Sequence, residues 1–391
     1  MIIDLYIQCN IEDKKGVTQF LDMAKDWKSG FNVRSKMSIW SPPPESKSAV
    51  RRAGKAISEG NATTEDYDLV DQWRSSHGYV INNIQIWLKR HIAKQSYNVE
   101  FAQRLKRRNT VIDKLQRKNA AGIPLIADVV AMHDFAGCRL IFETLEDLKN
   151  FRSYMASPAV MKNVKHELKY PPEKYDYIEH PKSTGYRGIH DVYRHLPRGS
   201  NRVEGKKPWD GLMVEVQYRT RAQHAWATAV EISDLVDGER TKFEMDQSKR
   251  GEFFAIASEI IARKQENMER AFVGQTTGEL QRRLQALEAE LTILQRLSVL
   301  KQFEDEEKLQ RHTVLNVYKK ADGTAGLEVI PFKTSAPAIA KATELESSNS
   351  SLNAVYVRAD NPKQLRSAYR NYFNDPIDFV KIIQEEAEID V

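Results

Sequence analysis

The chain has 391 residues, a net charge of +5 and an apolar fraction of 41%, so it is long enough for more than one domain and can bury a sizeable core. Its two cysteines, Cys9 and Cys138, exclude a disulfide framework and a repeated cysteine metal site. The apolar runs are too short to span a bilayer, and the first ten residues lack the features of a secretory signal. We therefore expect a cytoplasmic protein.

The predicted elements begin with an N-terminal extension, residues 1–45, which ends at three consecutive prolines that no helix crosses. The next part, residues 46–240, alternates between two patterns. Helical spacing occurs at 46–93, 145–155 and 220–235, and strand-like alternation at 99–106, 138–142 and 212–218. Strands interleaved with helices predict an α/β core in which a mixed sheet is flanked by helices.

The second half of the chain is predicted to be a helical segment followed by a small folded unit. Residues 241–311 carry leucines at steps of four and three, namely Leu280, Leu284, Leu287, Leu291 and Leu294. Such spacing fits a coiled coil, through which the chain would form a homo-oligomer, and fits an antiparallel helical hairpin nearly as well. Residues 312–391 show three strand patterns and two helix patterns, which predict a small α+β regulatory or interaction domain.

A basic cluster lies between Lys89 and Lys118, where ten Lys and Arg residues stand against two acids. This charge favours a phosphate-bearing partner, although a solvated helix face explains it equally well. Within the cluster, Arg104 and Lys106 lie two apart on a predicted strand and therefore share one face. With Lys114 near the start of the next helix they can hold a triphosphate. Plain surface cations are the alternative.

Two carboxylates are candidate ligands for Mg²⁺. Asp134 precedes a predicted strand in the sequence Asp-Phe-Ala-Gly-Cys-Arg, where Arg139 can bind phosphate or stack on a base. Glu215 shares one face of another predicted strand with Gln217 and Arg219. Magnesium prefers hard oxygen ligands, one or two of them from carboxylates. The alternatives are a turn-capping Asp and a Glu–Arg ion pair on a wet sheet face.

A loop rich in functional groups precedes Glu215. Lys182, Tyr186, Arg187 and His190 lie in nine residues with two glycines. Glycines let phosphates approach backbone amides, and an aromatic ring can stack on any base. An ordinary turn with a core tyrosine is the alternative. In the helix that follows, His224 is a further candidate for binding phosphate, although a lone helical histidine is more often structural.

In this order and spacing, these segments resemble the synthetase domain of the RelA/SpoT family over about residues 46–234. The resemblance implies a nucleotidyltransferase-like core and the transfer of the β,γ-pyrophosphate of ATP to a ribose 3′-hydroxyl of GDP or GTP, which gives (p)ppGpp and AMP. It implies that Arg104 and Arg139 sandwich the adenine of ATP. It also implies that Lys106 and Lys114 bind the ATP phosphates.

The same resemblance implies roles for the other candidates. Asp134 and Glu215 would hold Mg²⁺, and Glu215 would also accept the proton of the acceptor hydroxyl. Tyr186 would stack on the acceptor base, and three side chains would complete the acceptor and phosphate site, namely Lys182, His190 and Gln217.

The sequence departs from the family pattern at several points. Gly188 stands where the family usually has serine. The region before the core lacks the His-Asp dyad of a metal hydrolase, and no ribosome-associated array follows, so we expect a small synthetase-only member. Relatives of this size include toxin and defence enzymes that modify the 3′ end of tRNA or adenosine nucleotides. A catalytically dead nucleotide sensor is the third alternative.

Overall fold

The computed structural model describes residues 40–95, 97–106, 108–119, 121–162, 164, 166–196, 208–237, 248–298, 312–319, 325–346, 351–358 and 375–389. The chain divides into two compact units. The first consists of Met1–Phe142, Glu146–Tyr175 and His190–Tyr218, and the second of Glu143–Leu145, Asp176–Ile189 and Arg219–Val391. Among the described helices, none is both long and apolar enough to cross a membrane.

The first unit is built on a five-stranded sheet with the strand order β1-β2-β5-β4-β3. Its strands are β1 Val99–Leu105, β2 Ala136–Phe142, β3 His166–Leu168, β4 Ile189–His195 and β5 Met213–Thr220. Its helices are α1 Lys47–Glu59, α2 Thr64–Gln95, α3 Arg108–Gln116, α4 Leu145–Ala156 and α5 Pro158–Met161. Apolar residues from the strands and from α1, α2 and α4 form its core. The structure thus confirms the predicted core of a sheet flanked by helices.

The predicted helix over residues 46–93 is two helices in the structure. Ser46 caps the start of α1 by accepting a hydrogen bond from the backbone N–H of Ala49, and Gly60 ends it with φ +80°. Such a left-handed residue is the common helix terminator, and glycine adopts it without steric cost. Helical periodicity alone did not reveal this break, because the apolar spacing resumes directly after it.

The second unit combines a helical core with a three-stranded sheet. Its helices are α6 Arg221–Asp237, α7 Lys249–Gln265, α8 Thr277–Leu291, α9 Ile293–Ser298, α10 Ser335–Glu346 and α11 Asp375–Ala387. Its strands, β6 His312–Lys319, β7 Ala325–Phe332 and β8 Ser351–Arg358, form the order β7-β6-β8, with β6 antiparallel to both neighbours. Val314 of β6 packs with Ala338 and Ala342 of α10 in a small separate core.

The leucine-rich segment packs inside the chain. Leu280, Leu284 and Leu287 of α8 and Leu294 of α9 are buried in one core with α6, α7 and α11. Thr292, with φ +52°, ends α8 and divides the repeat. The seam that a coiled coil would offer to a second copy is therefore covered by the chain's own helices, as in the hairpin alternative.

The last helix belongs to this core and not to the three-stranded sheet. Phe379, Val380 and Ile383 of α11 are buried with residues of α6 to α9. The sequence analysis predicted no helix at 375–387 and grouped these residues with the small α+β unit, because sequence order does not reveal which core a segment joins. The helix predicted at 362–373 lies outside the described residues.

Candidate active site

The register between β1 and β2 places two arginines on one face of the sheet. Arg104 pairs with Gly137, and Ala102 pairs with Arg139, in antiparallel register. Directly opposed residues point to the same face, so Arg104 and Arg139 are diagonal neighbours on that face. Ala102 and Arg104 are exposed, and Gly137 and Arg139 are half-buried, whereas Cys138 on the opposite face is buried. The predicted adenine-binding pair thus lies on the open face of these two strands.

Two lysines form ion pairs with Asp134. Lys106 Nζ lies 2.5 Å and Lys114 Nζ 2.6 Å from Asp134 Oδ2. Lys106 directly follows β1, and its backbone N–H donates to the carbonyl of Phe135 at 2.7 Å, which fixes it beside the start of β2. Burial raises the pKa of Asp134, but the two lysines outweigh burial and hold that pKa below its ordinary value. Burial lowers the pKa of Lys106, and Asp134 opposes this effect.

Glu215 is held by three neighbours in the first unit. Gln217 Nε2 donates to Glu215 Oε1 at 2.6 Å, and His190 Nδ1 lies 3.4 Å from the same oxygen. His133 Nε2 lies 3.5 Å from Glu215 Oε2. Burial raises the pKa of Glu215, but His190, Gln217 and His133 together lower it below its ordinary range. The carboxylate is therefore charged near neutral pH, as a cation ligand must be.

His133 is a site residue that the sequence did not indicate. It precedes Asp134, and its ring lies 5.7 Å from the ring of Tyr175 and 6.2 Å from that of Tyr170. Burial lowers the pKa of His133, and the Glu215 and Asp134 carboxylates oppose this effect. A single histidine beside an acid forms no motif by itself. The only sequence signal was its adjacency to Asp134.

The Asp134 carboxylate has the chemistry of a Mg²⁺ ligand. Asp134 Oδ1 is buried and has no hydrogen-bond partner among the described residues, so one oxygen remains available as a ligand. The described residues contain no cluster of three or more His, Cys, Asp or Glu side chains suited to a metal. Magnesium takes one or two ligands from carboxylates and the others from water and phosphate.

The second unit carries the remaining predicted residues. Lys182 Nζ lies over the rings of Tyr177 and Tyr186, 4.5 and 5.4 Å from their centroids. Arg219 Nη2 donates to the hydroxyl of Tyr186 at 3.0 Å, and its guanidinium lies 5.2 Å from the centre of that ring. His224 is buried, with Nδ1 3.5 Å from Arg219 Nη1. Two cations thus flank the aromatic ring proposed to stack on a base.

The structure brings the predicted residues together in groups. Within the first unit Asp134 groups with Lys106 and Lys114, and Glu215 groups with His190 and Gln217. His190 was expected in a loop, but β4 begins at Ile189 and gives it a fixed strand position. Polar and histidine-rich strands such as β3 and β4 lack the apolar alternation by which a strand is recognised.

Comparisons with known proteins give a family match. Residues 103–233 match the model for a region found in RelA / SpoT proteins. GTP pyrophosphokinase YwaC of Bacillus subtilis (strain 168) is 30% identical over 125 residues, which are 32% of this chain and 52% of YwaC. The chain therefore spans about half the length of this curated relative.

Solved structures show weaker similarity. Small alarmone synthetase 1 from Bacillus subtilis, bound to its product pppGpp, gives a TM-score of 0.37 at 22% identity, covering 51% of this chain and 93% of that one. A GTP pyrophosphokinase family protein from Streptococcus pneumoniae gives 0.36 at 21% identity, covering 52% and 93%. At these scores the two structures support no statement about the ligands of this chain. The family match shows that this chain contains, over residues 103–233, a region of the kind found in RelA / SpoT proteins.

Proposed function

We propose that this chain transfers the β,γ-pyrophosphate of ATP to the ribose 3′-hydroxyl of GDP or GTP. The observation that carries the proposal is Asp134, whose Oδ2 accepts hydrogen bonds from Lys106 and Lys114 while Oδ1 stays without a partner among the described residues. A charged oxygen beside two ammonium groups suits a metal-bound polyphosphate. The RelA/SpoT-type match to residues 103–233 supports the same reaction class.

In phosphoryl-type transfer the protein mainly neutralises charge on the phosphates and aligns the two substrates, and it need not form a covalent bond. The acceptor 3′-oxygen forms a bond to the β-phosphorus of ATP, and the bond from that phosphorus to the α,β-bridging oxygen breaks. AMP leaves with the bridging oxygen. Lys106 and Lys114 would neutralise the charge on the phosphates, and Arg104 and Arg139 would hold the adenine on the open face of β1 and β2.

Asp134 and Glu215 would hold Mg²⁺, which supplies charge stabilisation for the transferring group when it is bound. The lowered pKa of Glu215 keeps this carboxylate ionised and makes it a weak proton acceptor. It would therefore act mainly by electrostatics and by orienting the acceptor hydroxyl. It would receive the hydroxyl proton late, because that proton becomes strongly acidic only as the oxygen bonds to phosphorus. His190 and Gln217 would fix its position.

Acceptor binding would fall to the cation-flanked Tyr186 and to Lys182. A planar base can stack on an aromatic ring, and a nearby ammonium group can bind the 5′-phosphates of the acceptor. GDP and GTP offer both features, as do adenosine nucleotides and the 3′ end of tRNA. The acceptor must therefore be identified by experiment.

The test is incubation with ATP labelled in its γ-phosphate, together with GDP, GTP, AMP or bulk tRNA in separate reactions. We expect label on GDP or GTP, release of AMP, and no labelled product from the Asp134→Asn variant. Label on tRNA or AMP alone would replace the proposed acceptor with one of the alternatives. If no acceptor gains label although the protein binds ATP, the chain would be a nucleotide sensor.

A further inference from the structure

Residues 182–188, the acceptor loop, are fastened to helix α7 at Gly185. Ser258 Oγ of α7 donates a 2.5 Å hydrogen bond to the Gly185 carbonyl. Gly185 has φ +86°, and a Cβ placed on it would come within 2.8 Å of the Ala255 Cα. Only glycine allows both this backbone conformation and this close approach. The loop that carries Tyr186 therefore follows the position of α7.

A buried ion pair makes a second attachment. Arg187 Nη2 lies 2.5 Å from Glu266 Oε2, and both side chains are 3% exposed. Glu266 directly follows α7, and its other carboxylate oxygen accepts a 2.7 Å hydrogen bond from Gln223 of α6. Separating a buried pair of this kind leaves an uncompensated charge, so the pair resists displacement of the loop.

Helix α7 packs in turn against α11. The ring of Phe379 in α11 lies 5.9 Å from that of Phe254 in α7, and both side chains are fully buried. The carbonyl of Phe254 accepts a 2.7 Å hydrogen bond from Trp226 Nε1, and the Trp226 ring lies 6.4 Å from the ring of Tyr186. Phe254, which contacts α11, and Ser258, which holds the loop, are thus four residues apart, about one turn of α7.

We propose that α11 positions the acceptor loop through α7, so that a helix near the end of the sequence sets how well the acceptor nucleotide binds. The proposal rests on the proposed function, because it assigns acceptor binding to the loop. A helix moves as a rigid element, and small misplacements of binding groups have large kinetic effects. Phe379 and Ser258 are positioning residues in this scheme, and neither needs to touch a substrate.

The test compares Phe379→Leu and Ser258→Ala with Leu284→Ala in the full chain. Leu284 is a fully buried residue of the same core on α8, so its truncation lowers stability without altering any residue of α7 or α11. The first readout is amide hydrogen exchange of residues 182–188, where Gly185 N–H donates to the Lys182 carbonyl at 2.8 Å. The second is the KM for acceptor and for ATP, measured well below each variant's Tm.

We expect Phe379→Leu and Ser258→Ala to speed exchange in the acceptor loop and to raise the acceptor KM about tenfold, with the KM for ATP unchanged. Exchange in β1 should stay as in the parent protein. The double variant should lose less than the sum of the two single variants, because both changes act on the same attachment. Leu284→Ala should leave the loop and the acceptor KM unaltered.

Two results would overturn the proposal. One is unchanged loop exchange in Phe379→Leu, and the other is an equal effect of Leu284→Ala on the loop, which would mean a general loss of stability. Hydrogen exchange needs no activity, so it decides the coupling even if no acceptor is labelled. If the proposed function fails but this proposal holds, Phe379→Leu and Ser258→Ala would still speed exchange in the acceptor loop of a protein without transferase activity.

Discussion

The Lys106 ammonium group and the Asp134 carboxylate lie 2.5 Å apart, and Lys114 reaches the same Asp134 oxygen at 2.6 Å. Two positive charges thus share one carboxylate oxygen, with Lys106 directly after β1, Lys114 in α3 and Asp134 just before β2. The grouping is partly buried, where charge interactions are stronger than at an open surface. In the proposed function, the ATP phosphates would pair with the two lysines and Asp134 would bind the metal ion.

Asp134→Asn and Glu215→Gln should each abolish pyrophosphate transfer while the protein stays folded. Each change preserves the shape of the side chain and removes the charge that would hold Mg²⁺. Transfer would be assayed with labelled ATP at saturating Mg²⁺, and folding would be checked by circular dichroism. Glu143→Gln, which alters an exposed carboxylate paired with Arg221, is the matched control and should remain active. An active Asp134→Asn or Glu215→Gln enzyme would contradict the metal assignment.

Acid should remove part of the stability that Asp134 supplies. The lysines hold its folded pKa below the ordinary 3.8, so its contribution is fully present above that value and is lost as the pH falls through the folded pKa. Asp134→Asn should therefore lower the free energy of unfolding by about 1–3 kcal/mol at pH 7. The difference from the parent protein should shrink below about pH 3.8, and urea unfolding at several pH values measures it. A difference independent of pH would show that charge is not the cause.

Much of the fold was predictable because it follows from local patterns. β1 and β5 alternate apolar and polar residues, β2 ends in the apolar run Leu-Ile-Phe, and α6 follows β5 directly, as expected. β3 and β4 were missed, because His166, His190 and His195 interrupt the apolar alternation. The helix α11 was not predicted, and its place was missed for a different reason. Two of the helices that cover it, α6 and α7, lie more than a hundred residues earlier in the chain.

The candidate site was predictable where a motif fixes both residue type and spacing. Arg104 and Arg139 share a face because of strand register, which alternation already implies once two strands pair. His133 and the Arg187–Glu266 pair could not be foreseen, because each joins residues that have no regular spacing in the sequence. Contacts of this kind are properties of tertiary packing alone.

Tyr186→Ala should weaken acceptor use about ten- to a hundredfold and should affect ATP binding far less, since stacking on a base is worth about 1–3 kcal/mol. Tyr186→Phe is the control, because it keeps the ring and removes only the hydroxyl that accepts from Arg219. We expect the phenylalanine variant to retain most acceptor use. Separate KM measurements for ATP and acceptor test this, and an equal loss for both nucleotides would make Tyr186 a structural residue.

Removing α11 should destabilise the second unit strongly, and removing the three-stranded sheet as well should add little to that loss. We compare a chain ending at Asn374, which lacks α11, with one ending at Gln310, which also lacks β6 to β8. Phe379, Val380 and Ile383 are buried in the core of α6 to α9, and each such side chain stabilises by about 1.5–3 kcal/mol.

Both truncated chains should therefore lose several kcal/mol, a large part of the 5–15 kcal/mol typical of a folded domain. Most of the loss should already be present in the chain that ends at Asn374, as measured by urea unfolding. The small sheet with α10 has a core of its own and can be lost at lower cost. If the chain ending at Asn374 were as stable as the full chain, α11 would be a peripheral helix. The regulatory or interaction role predicted from the sequence for residues 312–391 would then rest on the sheet.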